Sequence, residues 1–355
     1  MNSDLVAGMA ALVGPAAEPE VLAVRGDVVV VRVGDVVLKA HEAGTDPVEL
    51  AGRLRLAADP RLAGLLLPPL LGPEVVAGRV VSGWPRGTPV PQSEPEDLPM
   101  EAAGRMLAEL HRFAAADFAP PVPAAGAWPR MRRAVRELTL DTPAADLVRR
   151  AFATLPGTHS PGTHSPGTHS PGTHSPGTHS PGTRAAGTGA AGGRAAGTAT
   201  AGDWTADHPA AADPITDHPT TGDPLPGTTL IHGDWHLGQL VRRDGGYRLI
   251  DVDDLGVGDP AWDLARPAAL HLVGVLDEVA WGRLLGAYLG AGGTGVPRDD
   301  PWSALEVPAR ALVVQMAARA LTAAERDGTE LNDAQDALLA ACARIVSTHE
   351  PMRRG

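Results

Sequence analysis

Residues 230–266 read LIHGDWHLGQLVRRDGGYRLIDVDDLGVGDPAWDLAR, and the fold turns on this stretch. Positions 240–243 and 247–250 are short strand-like runs around the turn Asp244-Gly245-Gly246. A hairpin centred on Gly245 sets Gln239 opposite Asp251 and leaves Asp234 on the loop just before it. An amide oxygen and two carboxylates then gather at one end of a small sheet, a donor set suited to a hard cation such as Mg2+. Lone acidic residues in Gly-rich loops are usually solvated turn formers, a reading that fits Asp244, Asp254 and Asp259. Asp234 and Asp251 differ, because they sit where strand-like runs meet loops at matched ends of one hairpin.

Toward the N-terminus, residues 20–40 predict a three-stranded meander. Runs at 21–25, 28–33 and 36–40 are rich in Val and are punctuated by Gly26-Asp27 and Gly34-Asp35. Lys39 falls on the third strand, on the same face as Val37. It is the only lysine in the chain: 29 of the 30 basic residues are arginine. A lysine retained against that bias is either a chance survivor on the surface or a candidate for a place where a compact ammonium is needed and a planar guanidinium does not fit. A helix over about 46–58 follows, with Asp46 as N-cap and Pro47 as first helical residue. Leu50 and Leu54 share one of its faces, and Glu49 and Arg53 form an i, i+4 pair beside them. Residues 75–81 read as one or two further strands, 82–91 as a Gly/Pro-rich connector, and 96–113 and 129–155 as amphipathic helices. Beyond Pro260, helical patterns run over 280–289, 301–324 and 332–347.

The motif H-G-D-x-H-x-x-N, followed by a hairpin and I-D, is the signature of aminoglycoside phosphotransferase-like kinases, relatives of the protein kinases. Residues 232–239 and 250–251 resemble it. The run Gly258-Asp259-Pro260-Ala261-Trp262-Asp263-Leu264-Ala265 resembles that family's G-D-P-x-x-D-L-A. The resemblance implies an α+β, two-lobed protein-kinase-like fold with a small antiparallel-sheet N-lobe and a mainly helical C-lobe. It also implies transfer of the γ-phosphoryl group of ATP, with Mg2+, to a hydroxyl of a small polar molecule (aminoglycoside, sugar or amino alcohol). Asp234 then takes the place of the catalytic base, and Gln239 and Asp251 those of the metal ligands. Lys39 is the phosphate-binding lysine, paired with Glu49, and the adenine lies against 81–84, including Trp84. His232 and His236 organise the loop, Asp263 braces it, and Asp253 lies close enough to Asp251 to assist. Gln239 departs from the family's asparagine by one methylene. The H-L-G-Q form looks like the maltokinase and glucosamine-kinase-like branch, whereas G-D-P-x-x-D-L-A looks more like the antibiotic and amino-alcohol kinases.

Two other functions fit parts of the same sequence. His232, Asp234 and His236, with Asp251 and Asp253, resemble the ligand cluster of a metal-dependent hydrolase that activates water. A catalytically inactive nucleotide-binding kinase homologue would explain Gln239 and the missing Gly-rich loop. Both leave less of the chain accounted for than the kinase does.

The domain expectation is an N-lobe over 1–85, the helical start of the C-lobe over 86–155, a low-complexity insertion over 156–226, and the catalytic hairpin with the remaining helices over 227–355. The insertion carries PGTHS five times, placing His159, His164, His169, His174 and His179 at even spacing, and it holds too few large apolar residues for a core. A slippage-born repeat is the preferred reading over a metal-binding tract. The formal charge of −12 disfavours nucleic acid and anionic membranes as partners. The single cysteine, Cys342, fits a reducing compartment. The mildly apolar stretch 5–17 lacks a basic leader, and no stretch reaches the roughly 20 apolar residues of a membrane span. A cytoplasmic protein is the resulting expectation.

Overall fold

The structure is a computed structural model that describes residues 3–14, 18–90, 98–156 and 229–349. Almost all of the PGTHS insertion, and the reading made of it, lies outside the described residues.

Five antiparallel strands form the N-terminal sheet in the order β1-β2-β3-β5-β4: β1 (Glu20–Arg25), β2 (Val28–Val33), β3 (Val36–Ala40), β4 (Leu71–Val76) and β5 (Arg79–Pro85). The meander forms because Val dominates the strands and Gly26 and Gly34, both at positive φ, supply the turns. Strand alternation divides its residues between two faces. Val29, Val31, Val33, Leu38, Ala40 and Val81 form a small core of their own, closed by Leu5 and Met9 of α1 (Ser3–Val13). Lys39 points to the opposite face, in register with Val30 on β2 and Ser82 on β5. The helix α1 was not anticipated from the sequence. Its buried residues, Leu5 and Met9, are one turn apart on a single face.

Helix α2 (Pro47–Ala57) starts as expected, with the Asp46 carboxylate accepting the Val48 N–H at 2.8 Å. Its leucines, Leu50, Leu54 and Leu56, join the larger core rather than the sheet's own. That core is built by α3 (Met100–Leu110), α4 (Ala127–Glu137), α5 (Pro143–Ala153), α6 (Ala261–Leu272), α7 (Glu278–Gly290), α8 (Trp302–Asp327) and α9 (Asp333–His349). Helix α8 is its axis and packs against α4, α5, α6 and α9. Its long Ala-, Val- and Leu-rich run is buried at Pro308 and Ala309 and from Ala311 to Ala318. With only 3% aromatic residues, the chain fills most of this core with small aliphatic side chains that let the helices approach closely.

Between the two cores lie β6 (Thr88–Pro89), β7 (Thr229–Ile231), β8 (Leu240–Arg243), β9 (Gly246–Leu249) and β10 (Gly256–Gly258). Strand β6 pairs with β8, and β7 with β10. The β8–β9 hairpin forms, but one register step from the expectation. Leu240 faces Leu249 and Arg243 faces Gly246, so the turn is Asp244-Gly245 and not centred on Gly245. Both turn residues have positive φ, 50° and 76°, the backbone of a two-residue turn that matches strand twist. Residues 82–85, expected within a connector, complete β5 instead.

Candidate active site

The loop between β7 and β8 carries His232 to Gln239. Asp263, fully buried near the start of α6, holds the loop's beginning. Its Oδ2 accepts the His232 N–H at 2.7 Å, and its Oδ1 accepts the Gly233 N–H at 2.8 Å. Gly233 has φ of 82°, and a side chain there would run into the Asp254 carbonyl. His111 Nε2 donates to Asp263 Oδ2 at 3.1 Å, and its Nδ1 accepts from the Tyr288 hydroxyl at 2.8 Å. Burial pushes the Tyr288 phenol up to about 12, so it remains a donor. Burial alone would raise the Asp263 carboxyl, but the His111 hydrogen bond leads the interactions that hold it below its ordinary value.

Asp234 follows on this loop with its side chain 9% exposed. Arg266 of α6 donates to Oδ1 at 2.6 Å, and Arg130 of α4 pairs with Oδ2. Arg130 also bonds the Gly233 carbonyl at 2.8 Å and pairs with Asp254. Burial opposes ionisation of Asp234, but Arg130 and Arg266 outweigh it and keep the carboxyl well below the usual carboxylate range. Each carboxylate oxygen thus carries one guanidinium and retains a lone pair for a hydroxyl donor.

The second acidic group lies one hairpin away. Asp251, in the left-handed region at φ 63°, begins a short 3₁₀ turn over residues 252–254. Lys39 Nζ bridges Asp251 Oδ1 at 2.6 Å and Asp253 Oδ2 at 2.8 Å. Burial would lower the ammonium's pKa, but the two carboxylates overcome this and raise it above its ordinary value. His41, two residues after Lys39 and just past the end of β3, contacts Asp253 Oδ2 at 3.0 Å and turns its other ring nitrogen to Ser82. Arg53 of α2 donates to the Asp253 carbonyl.

Gln239 Nε2 donates to Asp251 Oδ2 at 3.2 Å, so the amide oxygen faces away from Asp251 in this rotamer. Side-chain amides exchange ends by a simple flip. Asp253 Oδ1 is buried without a hydrogen-bond partner. Two carboxylates, one of them carrying that orphaned oxygen, and an amide fit a hard divalent cation.

Most of the residues singled out in the sequence lie close together, although two do not behave as expected. Glu49 does not meet Lys39: its Oε1 pairs with Arg53 at 2.5 Å, the i, i+4 contact that α2 makes locally. Trp84 is buried inside β5, its ring 6.3 Å from that of His41, rather than in a connector. The hydrolase ligand set does not form. His232 Nε2 donates to the Ile250 carbonyl at 2.9 Å, His236 Nδ1 accepts the Gly238 N–H at 3.1 Å, and the arginines take Asp234. Among the described residues no three His, Cys, Asp or Glu side chains form a metal-holding group. Sequence reasoning missed Arg130, Arg266, His111 and His41. Only His41 had a local signal, as a histidine one alternation from the sole lysine.

The model of a phosphotransferase enzyme family, APH, matches residues 181–305. No curated protein matches the chain. Among solved structures, a choline/ethanolamine kinase family protein from Mesorhizobium loti is 18% identical, with 97% of this chain and 95% of that one covered and a TM-score of 0.52. A thermostable mutant of aminoglycoside phosphotransferase APH(4)-Ia, in a ternary complex with AMP-PNP and hygromycin B, is 14% identical over 98% of each chain, with a TM-score of 0.52. At such identities the likeness is one of fold. The family match falls on the segment that carries the catalytic signature. The solved structures share the two-lobed α+β fold. No helix among the described residues is long and apolar enough to cross a membrane.

Proposed function

We propose that the protein transfers the γ-phosphoryl group of ATP to a hydroxyl of a small polar molecule, with Asp234 as the catalytic carboxylate. The observation that carries this reading is the juxtaposition of two differently held acidic centres. Asp234 is clamped by arginines, and Asp251 and Asp253 are bridged by the chain's only lysine.

Lys39 has three N–H donors, of which two are engaged, and the third is available to a nucleotide phosphate. Asp251, Asp253 and Gln239 would hold Mg2+, which supplies neutralisation of phosphate charge when bound. Trp84 lines the adenine end, beside His41. Asp234 accepts the hydrogen bond of the acceptor hydroxyl, aims its oxygen and takes its proton as transfer proceeds. A carboxylate this strongly stabilised is a weak base, so orientation is its main contribution and proton acceptance comes late. Catalysis of this kind rests on positioning and charge compensation. His232 and His236 shape the loop through backbone hydrogen bonds, and Asp263 fixes its entry.

The test is turnover of Asp234→Asn against an acceptor panel of sugars, amino alcohols and aminoglycosides. The substitution keeps the shape and removes the charge. It is expected to lower kcat by about 10²–10⁴-fold while MgATP affinity stays near that of the wild type. A variant that retains wild-type turnover sinks the assignment of Asp234. Wild-type protein that binds MgATP but phosphorylates none of the panel, and hydrolyses no ATP, supports the inactive homologue instead.

A further inference from the structure

Two arginines clamp the catalytic carboxylate, and a third within reach of its charge has no ion-pair partner of its own among the described residues. Arg130 is paired with Asp234 and Asp254, and Arg266 with Asp234. Arg319 of α8 belongs to the same cluster and feels the charges of Arg130, Asp234, Arg266 and Asp254. Its Nη1 is buried without a hydrogen-bond partner. One turn earlier on the same helix face lies Gln315, fully buried, with both amide atoms unpartnered. Helix α8 packs against α4 and α6, which carry Arg130 and Arg266.

We infer that the phosphate acceptor carries an anionic oxygen group, a carboxylate or a phosphate, which Arg319 binds while Gln315 takes a neighbouring hydroxyl. This inference rests on the kinase reading above and narrows it. A polycation such as an aminoglycoside would have to enter beside three guanidinium groups. The acidic side chains that also face Arg319 do not reverse this. Glu42 is paired with Arg133 at 3.0 Å, and burial pushes the Glu137 carboxyl toward its neutral form. Burial, followed by the neighbouring Arg130, lowers Arg319 to about 10, as expected of a cation short of an anion. An anion placed there gains a charge-assisted hydrogen bond from a donor that has already lost its water.

The experiment is calorimetric titration of the full chain, saturated with Mg-AMP-PNP, by D-gluconate, glucose 6-phosphate, glucose and kanamycin. At least one of the two anions is expected to bind about tenfold or more tighter than glucose, and which one does so identifies the group. Arg319→Gln is expected to abolish that preference, and Arg319→Lys to restore part of it, with Mg-AMP-PNP affinity unchanged in both. Anions that bind no tighter than glucose overturn the inference, as does tighter binding of kanamycin or a preference that survives Arg319→Gln. Saturation with Mg-AMP-PNP is itself measured first, so failure of the nucleotide site is seen separately from failure of the anion site.

Discussion

Replacing Asp263 by asparagine isolates the brace under the loop that carries Asp234. The side chains have nearly the same shape, so packing is preserved and the change is one of charge and donor count. The carboxylate accepts three hydrogen bonds in a fully buried position: 2.7 Å from His232 N, 2.8 Å from Gly233 N and 3.1 Å from His111 Nε2. An asparagine has one acceptor end and one donor end. Whichever way it is turned, an N–H of the protein meets an NH₂ group and loses its partner. A stranded buried donor costs about 1–3 kcal/mol, and each hydrogen bond to a charged group about 1.5–3 kcal/mol, so Asp263→Asn is expected to destabilise by ~3–5 kcal/mol. The assay is urea unfolding followed by circular dichroism, with amide hydrogen exchange read at His232 and Gly233. His111→Gln, which removes only the longest of the three contacts, is expected to cost less, about 1–2 kcal/mol. Loss of under about 1 kcal/mol by Asp263→Asn, with loop exchange unchanged, refutes the claim that this carboxylate positions the loop.

Two further perturbations follow from the same geometry. His236 is held neutral, its pKa lowered from 6.5 to about 3 by burial and then by Arg266, so the unfolded chain takes up its proton first as pH falls. Its contribution to stability is present above about pH 6.5 and is lost progressively as pH falls toward 3. Thermal melts across that window are expected to decline less steeply for His236→Gln than for wild type, and equal slopes would contradict this account. Gly126, just before α4, leaves no room for a Cβ beside the Asp254 carboxylate that pairs with Arg130. Gly126→Ala is expected to cost about 1–3 kcal/mol and to lower turnover more than nucleotide affinity; a wild-type melting temperature and turnover would show that the ion pair tolerates displacement.

Local chemistry made much of this fold legible. The Val-rich runs with Gly turns, the Asp46-Pro47 helix start and the apolar periodicities of α3, α8 and α9 announce themselves within a few residues. The hairpin was legible except for its register, because Asp244-Gly245-Gly246 offers two ways to turn. The observed Asp-Gly turn is the one that two-residue hairpins favour. For Glu49, the helix-local pairing with Arg53 prevails over the pairing with Lys39 that resemblance implies, since the i, i+4 partner is already on the same face. Lys39 stood out because it has no competitors in the chain. Arg130 and Arg266 were invisible for the opposite reason: in a chain with 29 arginines, nothing marks the two that converge on one aspartate across α4 and α6. Their meeting is a product of tertiary packing, as is the contact of His111 with Asp263 across 152 positions of sequence.

The central claim is a Mg-nucleotide site assembled on Lys39. Thermal shift of wild type and Lys39→Ala, titrated with MgATP and MgGTP, tests it most directly. Wild type is expected to gain about 2.7 kcal/mol of stability at one hundred times its Kd, and Lys39→Ala, folded but without the bridging ammonium, to gain little at the same concentrations. A well-folded wild type that neither nucleotide stabilises, or a Lys39→Ala variant stabilised as fully as wild type, contradicts the account.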